Sequence, residues 1–233
     1  MTQLSLSIKS AAGGLGSEVP AYGVFPEGAR RGVVVVHEIF GMQPEIENVV
    51  DRFGKAQYAA IAPDFFHQPG WVTCVRQMMH AAATGEGPPV AVAEAARNYL
   101  VERGGLAVEN IGLIGFCIAG GFVLGIGKGW GAVSTNYGAI PPKERLDGIG
   151  PVIGCYGGRD LVFGGMGKRL KKSLEGKTDL KIHEYPTVGH AFLTDGHHPI
   201  AKALSYPFYR IRYDPEVAED AWGHIFSFFE KNL

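Results

Sequence analysis

The sequence predicts an α/β fold, one mostly parallel central sheet of about eight strands with helices on both faces, in a single domain over residues 1–233. Three observations predict it. Short β-type runs alternate with helical periods along the chain. Val33 to His37 is a continuous β-branched run, as suits a strand buried on both faces of a parallel sheet. No repeat, low-complexity segment or linker divides the chain, and its length suits one large core.

Each element follows in order. Leu4 to Ile8 and Ala21 to Phe25 read as strands separated by a Gly-rich turn, and Val33 to His37 is the next. Ile46, Val49, Val50 and Phe53 recur at helical spacing behind Pro44 and Glu45. Tyr58 to Ala62 is a short strand stopped by Pro63. Phe65 to Pro89, rich in Trp, His, Met, Gly and Pro, reads as an irregular lid or pocket rim around a short helix. Val90 to Arg103 is helical and ends at Gly104-Gly105. Strands follow at Ile111 to Gly115, Val133 to Tyr137, Val152 to Tyr156 and Leu180 to Tyr185, with a helix at Met166 to Leu174 between the last two. The clearest helix is the last. Ala218, Trp222, Ile225, Phe226 and Phe229 form one stripe, with Asp214 as cap and Pro215 in the first turn.

Composition narrows the function classes. Hydrophobic residues are 46% and charged residues 19%, an ordinary globular balance. A net charge of -1 and a pI near 6.7 lack the basic field that nucleic acid or an anionic membrane requires. No run is apolar enough to span a bilayer, and Met1 to Ser10 lacks the pattern of a signal peptide, so a cytoplasmic location is expected. Cys74, Cys117 and Cys155 are too few and too scattered for a disulfide framework or a thiolate metal site. Asp195, His197 and His198 match no standard ligand spacing, and no metal or other cofactor is expected.

The segment Ile111 to Gly121 carries the chemistry. A strand meets a helix through a tight turn with Cys117 at its apex, and Gly115, Ala119, Gly120 and Gly121 supply the small residues that such crowding demands. This is the pattern of a nucleophile elbow. The helix start favours a thiolate, and the Ile118 N–H points toward an oxyanion on an attacked carbonyl. Alone, the motif is equally a buried inert cysteine. A thiol nucleophile also needs a base and a group to orient it. Asp160 follows the strand ending in Gly157-Gly158, and His190 follows the last strand on a Gly-flanked loop. Nucleophile, acid and histidine thus fall at strand ends in the chain order of α/β-hydrolases. After Val33 to His37, Ile39 is the expected second oxyanion donor. Glu38 would sit at the pocket edge, accepting a hydrogen bond from the resting thiol and keeping it neutral.

Taken together, VVVVHEIFGM (33–42), APDFF (62–66), GFCIAGG (115–121), GGRD (157–160) and YPTVGHAF (185–192) resemble the dienelactone hydrolase family, and the resemblance spans nearly the whole chain. It implies an α/β-hydrolase fold, a Cys117–His190–Asp160 triad and a Glu38 that meets the resting thiol and is displaced by substrate. It also implies cofactor-free cleavage of a small ester or lactone, the family's best-known reaction being the opening of dienelactone (carboxymethylenebutenolide). Phe40, Tyr137, Phe192 and Arg76 are the expected substrate contacts, and a monomer or weak homodimer is expected. The chain departs from the family at Ala119, where Gly is usual, and at Ala191, where Ser is frequent. At Thr194, members that cleave dienelactone carry a substrate-binding Arg. Arg210 or Arg212 could restore that charge. Two competing readings are a non-catalytic binding scaffold, against which the intact Cys117, Asp160 and His190 argue, and a thiol redox sensor, for which no resolving partner is evident.

Overall fold

The computed structural model describes residues 2–8, 17–68, 70–195 and 213–233. Eight strands form one sheet: β1 (Thr2–Ile8), β2 (Ser17–Val24), β3 (Arg31–Val36), β4 (Tyr58–Pro63), β5 (Ile111–Phe116), β6 (Ala132–Asn136), β7 (Val152–Gly157) and β8 (Leu180–Tyr185). Their order is β1-β2-β4-β3-β5-β6-β7-β8. β1 and β2 pair antiparallel, as do β2 and β4; every pairing from β4 to β8 is parallel. The expected mostly parallel sheet is therefore present, with an antiparallel hairpin at one edge.

Among the described residues six helices cover it: α1 (Pro44–Lys55), α2 (Trp71–Thr84), α3 (Pro88–Gly104), α4 (Ile118–Ile126), α5 (Met166–Leu174) and α6 (Pro215–Asn232). Period-two alternation sends the central strands to both faces. Val34, Val36, Ile111 and Leu113 join Met78, Leu100, Phe122 and Leu170 under α2 to α5. Val33, Val35, Ile114 and Phe116 join Phe53, Trp222, Ile225 and Phe229 under α1 and α6. Each such fully buried side chain contributes about 1.5–3 kcal/mol. α6 starts as its sequence dictates: the Asp214 carboxylate accepts from the Val217 N–H at 3.2 Å, and Pro215 occupies the first turn.

One segment departs from expectation. The stretch read as an irregular rim around a short helix holds the 14-residue helix α2, longer than expected. Cys74, Met78 and Ala81 are its buried stripe, at i, i+4 and i+7, while Trp71, Val72 and Met79 stay exposed. Apolar residues on the wet face hid the period. α2 lies close on α4: a Cβ on Gly125 would sit 2.2 Å from the Ala82 carbonyl oxygen. No helix among the described residues is long and apolar enough to cross a membrane.

Candidate active site

The parallel strands all end at one edge of the sheet, and the predicted residues gather there. Glu38 follows β3, Cys117 follows β5, Tyr137 follows β6, Asp160 follows β7 and His190 follows β8. Ligands of open α/β sheets bind at this carboxyl edge.

Cys117 sits at φ 56°, ψ −120°, between the last residue of β5 and the first of α4. A non-glycine residue is strained there by about 1–3 kcal/mol, so its surroundings must hold it. The Cys117 N–H donates to the Asn136 carbonyl at 3.0 Å, and Asn136 Nδ2 donates to the Gly115 carbonyl at 3.2 Å. Thr135 Oγ1 donates to the Gly120 carbonyl at 2.9 Å. The crossing is tight: a Cβ on Gly115 would lie 2.4 Å from the Ala119 oxygen, and one on Gly120 would lie 2.8 Å from the Gly138 Cα. The small residues predicted at the elbow are thus required. The grip of Thr135 and Asn136 on it had no sequence signal beyond polar residues closing a buried strand. Two further positive-φ residues stand at the site, Tyr137 (φ 44°) and Ala191 (φ 54°).

His190 Nδ1 lies 2.6 Å from Asp160 Oδ2, both side chains buried. Asp160 Oδ1 accepts the N–H groups of Val162 and Phe163 at 3.0 and 2.9 Å, so one carboxylate both caps its own turn and fixes the imidazole. The ring of His190 stacks on Phe163 at 5.2 Å and meets Tyr137 at 4.8 Å.

Glu38 is buried. Its Oε1 accepts from Tyr137 Oη and from Thr194 Oγ1, each at 3.3 Å. Burial and the nearby Glu45 carboxylate raise its pKa to about 8 against the pull of those two hydroxyls. Cys117 feels the same carboxylate. Burial first, then Glu38, pushes the thiol well up, with Asp160 adding to the shift and only the Ile118 N–H opposing it. The helix start favours a thiolate, but burial and two carboxylates outweigh that one N–H and favour the neutral thiol. His37, not foreseen in any role, fixes the loop. It accepts the Phe65 N–H on Nε2 at 3.0 Å, so its Nδ1 carries the proton and donates to the Glu38 carbonyl at 2.8 Å. A turn closed by Gly41 N–H to that carbonyl (3.1 Å) then carries Ile39 and Phe40, and Trp71 Nε1 donates to the Ile39 carbonyl at 2.7 Å.

The expected substrate contacts divide. Phe40 is exposed at the rim. Tyr137 and Phe192 are fully buried and pack on each other at 5.7 Å; Tyr137 stands beside His190, ring to ring at 4.8 Å, and Phe192 packs in the core. Arg76 is on the exposed face of α2. Thr194 is buried against Glu38. Arg210, Arg212, His197 and His198 lie outside the described residues. Among the described residues no three His, Cys, Asp or Glu side chains could hold a metal.

Comparison with known proteins places the chain among its relatives. The model of the dienelactone hydrolase family matches residues 19–233. A Saccharolobus solfataricus protein named "Putative carboxymethylenebutenolidase" is 26% identical, with 93% of this chain and 95% of that protein covered. Among solved structures, a dienelactone hydrolase-like promiscuous phosphotriesterase from metagenomic libraries superposes with a TM-score of 0.75 at 20% identity, covering 99% of this chain and 98% of that one. A dienelactone hydrolase from Anabaena variabilis gives 0.62 at 18% identity, covering 90% of this chain and 99% of that one. At such identities the structures establish the α/β-hydrolase fold.

Proposed function

We propose, since the chain belongs to the dienelactone hydrolase family, that it hydrolyses small esters or lactones with Cys117 as nucleophile, His190 as general base and acid, and Asp160 as the group that orients His190. The observation that carries this reading is the strained apex position of Cys117 on the sheet edge that also holds the 2.6 Å His190–Asp160 pair. In this mechanism His190 takes the thiol proton as sulfur attacks the carbonyl. The oxyanion accepts from the N–H groups of Ile118 and Ile39. Collapse to a thioester expels the alcohol, which receives the proton from His190. Water attacks the thioester by the same route, releasing the acid and restoring the thiol. Glu38 holds the thiol uncharged until substrate arrives. A reducing cytoplasm suits such a nucleophile, and no cofactor enters any step.

The test is hydrolysis of p-nitrophenyl acetate and of a small lactone. Cys117→Ala is expected to reduce turnover to the uncatalysed rate, and His190→Ala to lower kcat by about 100- to 10,000-fold. Equal rates for wild type and Cys117→Ala would remove the nucleophile from this reading.

A further inference from the structure

We infer that His37 is a positioning residue of the oxyanion hole: it aims and polarises the Ile39 N–H, one of the two groups that receive negative charge when sulfur adds to the carbonyl. This rests on the hydrolytic reading above. A peptide unit is planar and trans, so its N–H points away from its C=O. The Ile39 N–H and the Glu38 carbonyl belong to one such unit, and whatever fixes the carbonyl fixes the N–H. Two donors fix it, His37 Nδ1–H at 2.8 Å and the Gly41 N–H at 3.1 Å. The next peptide is held as well, by Trp71 Nε1–H on the Ile39 carbonyl at 2.7 Å. Rotating either peptide would break these bonds. Donation to a carbonyl also polarises its amide, which makes the N–H on the other side a stronger donor.

What holds His37 comes from the neighbouring strand. β3 and β4 pair in parallel, so the loops after them leave the sheet side by side. In the loop after β4 the Phe65 N–H donates to His37 Nε2 at 3.0 Å. Asp64 Oδ1 is farther from that nitrogen, at 3.5 Å, and takes the Phe66 N–H at 2.9 Å. The Phe65 N–H occupies the Nε2 lone pair and leaves the ring proton on Nδ1, facing the Glu38 carbonyl. The Phe65 and Phe66 rings meet the imidazole edge to face at 5.6 and 4.8 Å, and His37 is fully buried. An imidazole with one tautomer and one orientation is a preorganised support, and preorganisation is what makes an oxyanion donor effective. The segment Asp64-Phe65-Phe66 has no part in the triad; its grip on His37 connects it to the reaction.

Two variants test this. His37→Phe keeps an aromatic ring in place and removes both hydrogen bonds; His37→Asn keeps an N–H donor near the Nδ1 position. With p-nitrophenyl acetate, His37→Phe is expected to lower kcat by about 30- to 100-fold while KM changes by less than about threefold. His37→Asn is expected to recover about tenfold of that loss. Trifluoroacetone, whose adduct with the Cys117 sulfur carries the same oxyanion, should inhibit His37→Phe more weakly by a similar factor. Iodoacetamide alkylates the sulfur without forming an oxyanion, so its rate should stay within about threefold of wild type. A merely structural role would lower alkylation together with hydrolysis. Alkylation that falls as far as hydrolysis, or His37→Phe as fast on the ester as wild type, would overturn the inference and leave the hydrolytic reading standing. Wild type no faster than Cys117→Ala would take the hydrolytic reading down, and this inference with it. Should His37→Phe fail to fold, the tautomer decides on wild type alone. Nitrogen NMR of isotope-labelled histidines at neutral pH is expected to show His37 with its proton on Nδ1 and none on Nε2; the opposite tautomer cannot donate to Glu38 and overturns the inference.

Discussion

One oxygen, Glu38 Oε1, gathers the polar groups of the site. It accepts from Tyr137 and Thr194, and its charge is felt by Cys117. Since the Glu38 carboxyl ionises near pH 8 and the thiol loses its proton only well above its usual range, Glu38 is already an anion when the thiol titrates. Removing that anion must ease thiolate formation. Glu38→Gln is expected to speed iodoacetamide alkylation of Cys117 at pH 9 by about tenfold, the equivalent of about one pKa unit. An unchanged pH–rate profile would show that the carboxylate does not govern the thiol. The sequence made Glu38, Cys117, Asp160 and His190 legible because each falls just past a strand end in a fixed chain order. The exchange between Glu38 and Thr194, 156 positions apart, has no local signature at all.

Elements were legible where one periodicity ruled. The bounds of α5 and β8 agree with the sequence to the residue, and β3 and β5 shift only at their ends. The length of α2 was not legible, because Trp71, Val72 and Met79 face solvent and blur the stripe of Cys74, Met78 and Ala81. What glycine does inside an element is also a matter of setting. At the end of β5 a Cβ on Gly115 would press on backbone 2.4 Å away, in the turn that aims Cys117. On α6 a Cβ on Gly223 would meet nothing within 4 Å. Gly115→Ala is therefore expected to cost about 1–3 kcal/mol and lower Tm by several degrees, with loss of activity as the apex shifts. Gly223→Ala is expected to raise stability by about 0.5–1 kcal/mol, because helix interiors favour alanine. Thermal melts of the two variants check both signs; equal shifts would mean that the elbow relaxes freely.

At the scale of the whole molecule, eight strands and two apolar layers exist to hold one polar edge, and the stability of the fold is tied to that edge through Glu38. Unfolded, this carboxyl has an ordinary pKa near 4.5; folded, it is raised to about 8, mainly by burial. Between these values the folded chain keeps a proton that the unfolded chain releases, so stability must fall as pH rises across the window. Below about 4.5 both states are protonated and the contribution is fully present; above about 8 both are ionised and it is gone. The slope within the window is at most about 1.4 kcal/mol per pH unit. Glu38→Gln removes the titration while keeping the shape of the side chain. Urea unfolding at pH 5.5, 6.5 and 7.5 is expected to show wild type losing stability relative to Glu38→Gln at each step, and the difference between them should change little above pH 9. If the two stability curves run parallel from pH 5.5 to 7.5, the carboxyl is not held neutral by the fold, and the account of an uncharged resting site loses its thermodynamic support.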